Sequence, residues 1–308
     1  MPNNLDTPQT ISIQARLTNI GRRLGIPGDV SLAMRRLYFF DGFLARLAQA
    51  PYHSQFVLGG GLFLLKLAVG AAQARPTQDA DFSCLGLTNG LATLRPVLQA
   101  IVRVPQPDAV VFDDARIRLI VIMQQGPLLG VRARIPARLG NAREVLALDL
   151  AFGMPLVPGP QLRAIPTTLD PAVTIPVYTY PLETIMAGKV ASILFHGAQN
   201  TRYKDYFDLL ALAHTQDFDG STLEAALVAT CQVQGLALDP TNVVFASPTF
   251  LTDPQQLQGW SNFVASTGLA ARAPSFAEAI TTVRQLYSPV LNGTTGGRTW
   301  DHTAQRWR

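Results

Sequence analysis

The chain has 308 residues, of which 48% are hydrophobic and only 15% are charged. This composition excludes a disordered chain and predicts a sizeable core, in two domains or in one large domain with extensions. The 25 basic and 21 acidic residues leave a net charge of +4, which permits a nucleic-acid partner without requiring one. Cys84 and Cys231 form neither a disulfide framework nor a zinc motif, so we expect a reducing, cytoplasmic setting.

Helical spacing of apolar residues predicts two helices near the N-terminus, 12–26 and 32–47, with a break at Pro27 and Gly28. Residues 1–8 carry no core pattern and are expected to be disordered. They also lack the basic and apolar pattern of a signal peptide. We therefore predict an N-terminal helical element over residues 1–50.

An α/β core is predicted over residues 51–180. It begins with a short apolar strand (56–58), a triple-glycine turn (59–61) and a helix (62–72). Glycines and a lysine interrupt this apolar run, so it does not predict a membrane span. The remaining predicted elements of the core are the strand 80–84, the helix 89–102 and the strands 110–112, 116–123, 130–139 and 145–152. A hairpin turn is predicted at residues 140–141, and the proline-rich stretch 155–176 is predicted to be a loop.

Helical periodicity predicts a C-terminal helical domain over residues 181–290. Its expected helices are 183–196, 204–214, 223–234, 254–265 and 276–286. Residues 291–308 show no core pattern and are predicted to be a flexible tail. The predicted fold class is therefore α/β (α+β), with a small mixed core between two helical parts.

Two aspartates, Asp79 and Asp81, stand one residue apart on a predicted strand. Alternate residues of a strand point to the same face, so the two carboxylates should lie side by side. A divalent cation relieves their repulsion, and oxygen-only ligands suit Mg²⁺. Gly60 and Gly61 precede them in a turn that is neither a Walker A loop nor a Rossmann motif, but that can present backbone N–H groups to phosphates. Together these features predict a nucleoside triphosphate site for nucleotidyl transfer.

Asp149 is a third candidate metal ligand. It lies within the apolar run of the strand 145–152, where a lone carboxylate is unfavourable unless it is paired or bound to a metal. If it lies beside Asp79 and Asp81, three carboxylates could hold two Mg²⁺ ions. The alternative is that Asp149 caps a turn or pairs with an arginine such as Arg132 or Arg134.

A second group of charged residues follows the core. Lys189 lies in an otherwise apolar helix and needs an anionic partner, which a triphosphate would provide. Four more charged residues begin the next helix: Arg202, Lys204, Asp205 and Asp208. The alternative for these four is a solvated helix start with local ion pairs.

The order of these motifs resembles the AbiEii/AbiGii-type nucleotidyltransferase toxins, which include MenT-like members of type IV toxin–antitoxin systems. The resemblance covers roughly residues 10–265. It is carried by Val57-Leu58-x-Gly60-x-Leu62-Phe63, Arg75-Pro-Thr-x-Asp79-x-Asp81, Gly130-Val-Arg132, Asp149-x-x-Phe152-Gly153, Glu183-x-x-x-Ala187-x-Lys189 and Arg202-x-Lys204-Asp205-x-x-Asp208.

The resemblance implies a DNA polymerase β-like nucleotidyltransferase fold, Mg²⁺, a nucleoside triphosphate donor, a tRNA acceptor end, blocked translation, a cognate antitoxin and a role in phage defence. It implies that Asp79 and Asp81 bind the metal, that Lys189 contacts the phosphates and that Asp205, supported by Asp208, completes the catalytic site. No membrane partner is expected.

Three positions depart from the family pattern. Gly59 stands where many relatives have lysine, Met154 where an aspartate often follows Phe-Gly, and Gly188 where relatives usually have the glutamate of an Ala-Glu-Lys run. Two alternatives therefore stay open beside an RNA-modifying toxin. One is a nucleotide-binding protein of the same fold with weakened catalysis, and the other is transfer of a nucleotide to a protein hydroxyl.

Overall fold

The structure is a computed structural model that describes residues 5–26, 29–67, 75–123, 129–239, 247–269 and 273–308. It contains a mixed α/β core and many helices, which confirms the predicted α/β fold class. The main helices are α1 (Pro8–Arg23), α2 (Val30–Gln49), α3 (Gly60–Leu67), α4 (Leu91–Val102), α5 (Leu182–His196), α6 (Tyr203–Ala213), α7 (Gly220–Gln234), α8 (Pro248–Thr252), α9 (Pro254–Ser266) and α10 (Phe276–Leu291). The predicted continuation of the third helix to residue 72 lies outside the described residues.

The described strands of the core form one eight-stranded sheet with the order β3-β5-β6-β2-β1-β8-β7, and β4 pairs with β5 beside β3. The strands are β1 (Phe56–Gly59), β2 (Asp79–Cys84), β3 (Val110–Phe112), β4 (Arg118–Met123), β5 (Leu129–Leu139), β6 (Ala142–Phe152), β7 (Gln161–Pro166) and β8 (Thr174–Thr179). The predicted hairpin is confirmed, since β5 and β6 are antiparallel around residues 140–141. β2 lies parallel to β6 and antiparallel to β1, which brings distant segments together at the sheet centre.

Alternation along β5 and β6 separates a buried face from an open face. Val131, Ala133 and Ile135 of β5 are fully buried, as are Leu146 and Leu148 of β6. This face packs on the core that contains α2, where Phe39, Phe40 and Phe43 are also fully buried. The intervening residues of both strands are half-buried or exposed, so the opposite face is open.

The predicted loop over 155–176 is wrong, because it contains β7 and the first half of β8. Prolines suggested a loop, but Pro166 ends an edge strand. Pro176 lies in β8, which pairs with β1 only near its C-terminal end, at Thr179. Edge strands and partly paired strands tolerate a missing backbone N–H.

The predicted flexible tail over 291–308 is also wrong. Strands β10 (Thr299–Asp301) and β11 (Arg306–Trp307) form a small sheet with β9 (Phe218–Asp219). Trp300 is fully buried and its indole N–H donates to the carbonyl of Ala213 at 2.8 Å. Trp307 packs edge-on against it with ring centroids 5.8 Å apart, so two aromatic anchors hold the C-terminus on the helical domain.

None of the helices in the described part of the chain combines the length and the apolar character that a membrane crossing needs.

Candidate active site

A glycine turn and the first aspartate pair meet at the centre of the sheet. β1 ends at Gly59 and α3 begins at Gly60, whose φ of 61° favours glycine. Asp81 lies opposite Gly59 in the β1–β2 register. A Cβ atom at Gly60 would overlap the Asp81 carboxylate, so the turn requires glycine there to make room for this side chain.

The Asp81 carboxylate has no hydrogen-bond or ion-pair partner within the described residues, although it is partly buried. Burial, the largest cause, and the neighbouring carboxylates of Asp79 and Asp149 together raise its pKa to about 6, against the opposing effect of Lys204 and Lys189. An acid that is desolvated and surrounded by acids, with no cation bonded to it, is the arrangement that a divalent cation would stabilise. The pair Asp79 and Asp81 therefore fits a metal ion.

Asp149 lies in register with Asp81 on β6, but an arginine holds it. Arg132 donates from Nε and Nη2 to its two carboxylate oxygens, each at 2.6 Å, and the same Nη2 lies 3.8 Å from an oxygen of Asp79. Within the described residues, the ligand oxygens of the three aspartates do not all come within 4.8 Å of one another. The structure thus shows the arginine pairing left open as an alternative, and the role of Asp149 as a metal ligand stays a prediction.

The helices on the other side of the cleft carry a connected network of charges. Lys189 of α5 donates to Asp208 at 2.5 Å and to Asp205 at 3.3 Å, both in α6. Arg75 binds Asp208 through Nε and Nη2, each at 3.0 Å. Arg202 completes the network with a 2.8 Å bond from Nε to Asp205. Two aspartates of the chain thus provide anionic partners for Lys189.

In this network the pKa of Asp205 is lowered, whereas the pKa of Asp81 on the sheet is raised. Burial alone would raise the pKa of Asp205, but Lys189, Arg202 and Lys204 lower it below its ordinary value. Lys204 forms no ion pair with the described residues, and burial and the nearby Arg202 lower its pKa. Lys204 is therefore a cation of this cluster that can still accept an anionic ligand.

Both sides line one cleft of about 340 Å³, a size suited to a small ligand. The predicted site residues that line it are Gly60, Gly61, Asp81, Asp149, Lys189, Arg202, Lys204 and Asp205. Asp79 and Asp208 lie beside this group through their contacts with Arg132 and Lys189. The roles assigned to all of these residues stay predictions.

Sequence reasoning missed several residues of the cleft. Tyr180 lines it and packs against Gly59, so that even a Cβ there would touch its ring at 2.9–3.0 Å. Gln234 of α7 also lines it, and its buried side-chain oxygen has no partner among the described residues. Arg75 was noted only within a motif, although its position before Asp79 was a usable signal. Tyr180 and Gln234 gave no sequence signal, because only the packing of β8 and α7 brings them here.

The described residues contain one other group that could hold a metal, formed by Asp217, Asp301 and His302. It lies at the small C-terminal sheet and does not line the cleft. One Asp301 oxygen accepts hydrogen bonds from the backbone N–H groups of Thr303 and Ala304, and the other pairs with Arg308. This group is therefore explained by its own hydrogen bonds.

Comparison with known proteins gives one family match. Residues 42–282 match the family model described as nucleotidyl transferase AbiEii toxin, type IV TA system. Among solved structures, JHP933 from Helicobacter pylori is similar at 14% identity and a TM-score of 0.47, over 85% of this chain and 93% of that one. A Helicobacter pylori protein described as a "putative nucleotidyltransferase" is similar at 15% identity and a TM-score of 0.48, over 85% of this chain and 96% of that one. No curated protein matches significantly.

Proposed function

Because the chain belongs to the AbiEii nucleotidyl transferase toxin family of type IV toxin–antitoxin systems, we propose that it transfers a nucleoside monophosphate from a nucleoside triphosphate to the 3′ end of an RNA. The expected acceptor is tRNA, and the expected consequences are blocked translation, growth arrest and a role in phage defence. The family implies a triphosphate substrate and a cognate antitoxin.

The observation that carries this proposal is the contrast across the cleft. Asp81, with Asp79 beside it, is an acid without a cationic partner in the described residues, and Lys204 opposite is a cation without an anionic one. A metal-bound triphosphate carries both of the missing charges. Such a donor would fill the cleft and satisfy both sides at once.

In this proposal, Asp79 and Asp81 hold Mg²⁺, which when bound neutralises the donor phosphates and polarises the α-phosphate. Lys204 contacts the triphosphate, and Gly60 lets the backbone approach it. Lys189 keeps Asp205 and Asp208 in place. The ribose hydroxyl gives up its proton to solvent and its oxygen forms a bond to the α-phosphorus, while the bond to pyrophosphate breaks and pyrophosphate leaves. Positioning with charge neutralisation supplies most of the rate.

The test is label transfer to total RNA from each of the four α-labelled triphosphates, with Mg²⁺ and with chelator. We expect one or more triphosphates to label RNA, and we expect chelator or Asp81→Asn to lower the rate by at least about a thousand-fold. Asp217→Asn is the matched control, since it removes an acid of the other possible metal group. It should retain activity.

Transfer that persists in Asp81→Asn would contradict this assignment of the site. Labelled protein bands in a cell lysate, without labelled RNA, would replace the RNA acceptor by a protein hydroxyl.

A nucleotide-binding protein with weakened catalysis is the second candidate. Arg132 holds both oxygens of Asp149, and Gly188 leaves open space where relatives usually carry a glutamate. Both features reduce the acidic groups available in the cleft. Calorimetric binding of a triphosphate by the wild-type protein, with no product on RNA or protein, would favour this candidate over the first.

A further inference from the structure

Four arginines lie on the open side of the sheet next to the cleft. We call this surface the arginine face and define it by Arg118 of β4, Arg134 and Arg138 of β5, and Arg143 of β6. Arg118, Arg134 and Arg143 are exposed, and Arg138 is half-buried. None of the four forms an ion pair with the described residues, whereas Arg36, Arg103 and Arg116 elsewhere do.

The strand register places these side chains on one face. Arg132, which binds Asp149 in the cleft, is followed at alternate positions of β5 by Arg134 and Arg138. Arg118 lies opposite Arg134 on one side, and Arg143 lies opposite Arg138 on the other. At about 3.4 Å per residue, the six residues from Arg132 to Arg138 extend about 20 Å from the cleft.

The other outward residues of these strands are uncharged. Ile120 of β4 and Val145 of β6 are 49% and 46% exposed, and Pro136 and Ala147 lie between the arginines. Glu144 points to the opposite face, where it pairs with Arg36. The arginine face thus combines four unpaired cations with exposed aliphatic groups. On this face of β5 and β6, Asp149 at the cleft is the first acidic residue.

This combination matches a nucleic-acid strand better than a protein. Guanidinium groups bind phosphates in a forked geometry and stack on bases, and phosphate contacts supply most of the affinity of such surfaces. Aliphatic groups between the cations can contact the flat faces of unpaired bases. The opposed arginine pairs would repel one another at low salt, and a polyanion relieves that repulsion.

We propose that the acceptor RNA binds as a single strand along the arginine face, with its 3′ end entering the cleft beside Asp81. This inference rests on the proposed function and names the surface that selects the acceptor.

The experiment compares two double variants, Arg134→Gln/Arg143→Gln on the arginine face and Arg22→Gln/Arg23→Gln at the end of α1. The control arginines are also exposed, and Arg23 lies beside Leu169, at the β7–β8 end of the sheet. Fluorescent tRNA and a duplex RNA without a single-stranded end are titrated at several salt concentrations, without triphosphate. Triphosphate binding is measured separately by calorimetry.

We expect the first variant to bind tRNA about ten-fold more weakly at low salt, with a salt slope smaller by about 1.4, while the control and the triphosphate affinity stay unchanged. Blunt duplex RNA should bind more weakly than tRNA and respond less to the variant. Equal loss of tRNA affinity in both double variants, or no loss in either, would overturn the inference.

The readout separates this inference from the proposed function. If wild-type protein binds tRNA through the arginine face but transfers no nucleotide, the inference stands and the catalytic proposal fails. If it transfers nucleotides to protein and binds no RNA, the inference fails and a transferase remains.

Discussion

The two sides of the cleft both bury aspartates, but they balance the charge differently. On the helical side, Asp205 and Asp208 are surrounded by Lys189, Arg75 and Arg202, and the pKa of Asp205 is lowered although burial opposes this. On the sheet side, burial and the neighbouring carboxylates of Asp79 and Asp149 raise the pKa of Asp81 to about 6, and no described cation bonds to it. The aspartates of the helical side are balanced by bonded cations of the chain, whereas Asp81 on the sheet side requires a cation from elsewhere.

This difference assigns different tasks to similar side chains. A satisfied buried network fixes geometry and orients the groups at its rim, such as Lys204. An unsatisfied acid stores unfavourable free energy that a bound cation can release, which is a property of binding and catalytic sites. We therefore expect substitutions on the helical side to reduce stability and substitutions at Asp81 to increase it.

The largest stability effect is expected for Asp208→Asn. Asp208 is 4% exposed and lies between Lys189 and Arg75, so the variant leaves two buried cations with one carboxylate fewer. Breaking a buried ion pair from one side costs about 3–5 kcal/mol. Urea unfolding at pH 7.5 should show a loss of this size in the free energy of unfolding.

The control for this effect is Lys189→Met combined with Asp208→Asn, because the double variant also removes one of the buried cations that Asp208→Asn leaves without its carboxylate. It should lose less stability than the sum of the two single variants. A loss below about 1 kcal/mol for Asp208→Asn alone would show that the network is solvated and not a fixed framework.

The second prediction concerns Asp81→Asn, which should stabilise the protein at neutral pH. The pKa of Asp81 rises from its ordinary 3.8 to about 6, so the folded protein binds the proton more tightly than the unfolded chain does. The cost of the charged carboxylate is therefore fully present above pH 6 and disappears as the pH falls towards 4. The variant should be about 1–3 kcal/mol more stable at pH 7.5 and equal to wild type near pH 4.

Chemical unfolding of both proteins between pH 4 and pH 8 measures this difference. Mg²⁺ should reduce it at pH 7.5 by stabilising the wild type alone. The matched control is Asp79→Asn, whose side chain is 40% exposed, so its own stability change should be smaller. A stability difference that does not change with pH would refute the electrostatic explanation.

The sequence predicted the sheet side of the cleft well because its signals are local. A strand that ends in glycines and two aspartates at alternate positions define a face and a charge before any tertiary contact is known. The position of Asp149 beside Asp81 was also anticipated, from the place of residue 149 in the predicted hairpin. The pairing of Asp149 with Arg132 could be named only as an alternative, because side-chain geometry decides between a metal and an arginine.

The helical side was harder, because its partners are far apart in sequence. Arg75 meets Asp208 across 133 residues, and no periodicity encodes that contact. The prediction for residues 291–308 was wrong for a related reason. Mostly polar residues separate Trp300 from Trp307, so no short stretch of the sequence shows an apolar pattern, although both rings are buried. Two tryptophans in a supposedly mobile tail were the available signal.

The smallest predicted effect distinguishes the glycines of the two sides. Gly188 lies within α5, and a Cβ there would meet no atom within 4 Å, so Gly188→Ala should stabilise the protein by about 0.5–1 kcal/mol. Gly60→Ala should do the opposite, because its φ is 61° and the added methyl group overlaps Asp81. Thermal unfolding of both variants measures the signs, and triphosphate affinity should fall only for Gly60→Ala. Loss of affinity in Gly188→Ala would instead mean that the donor occupies the open space beside α5, and the helical side would then bind ligand directly.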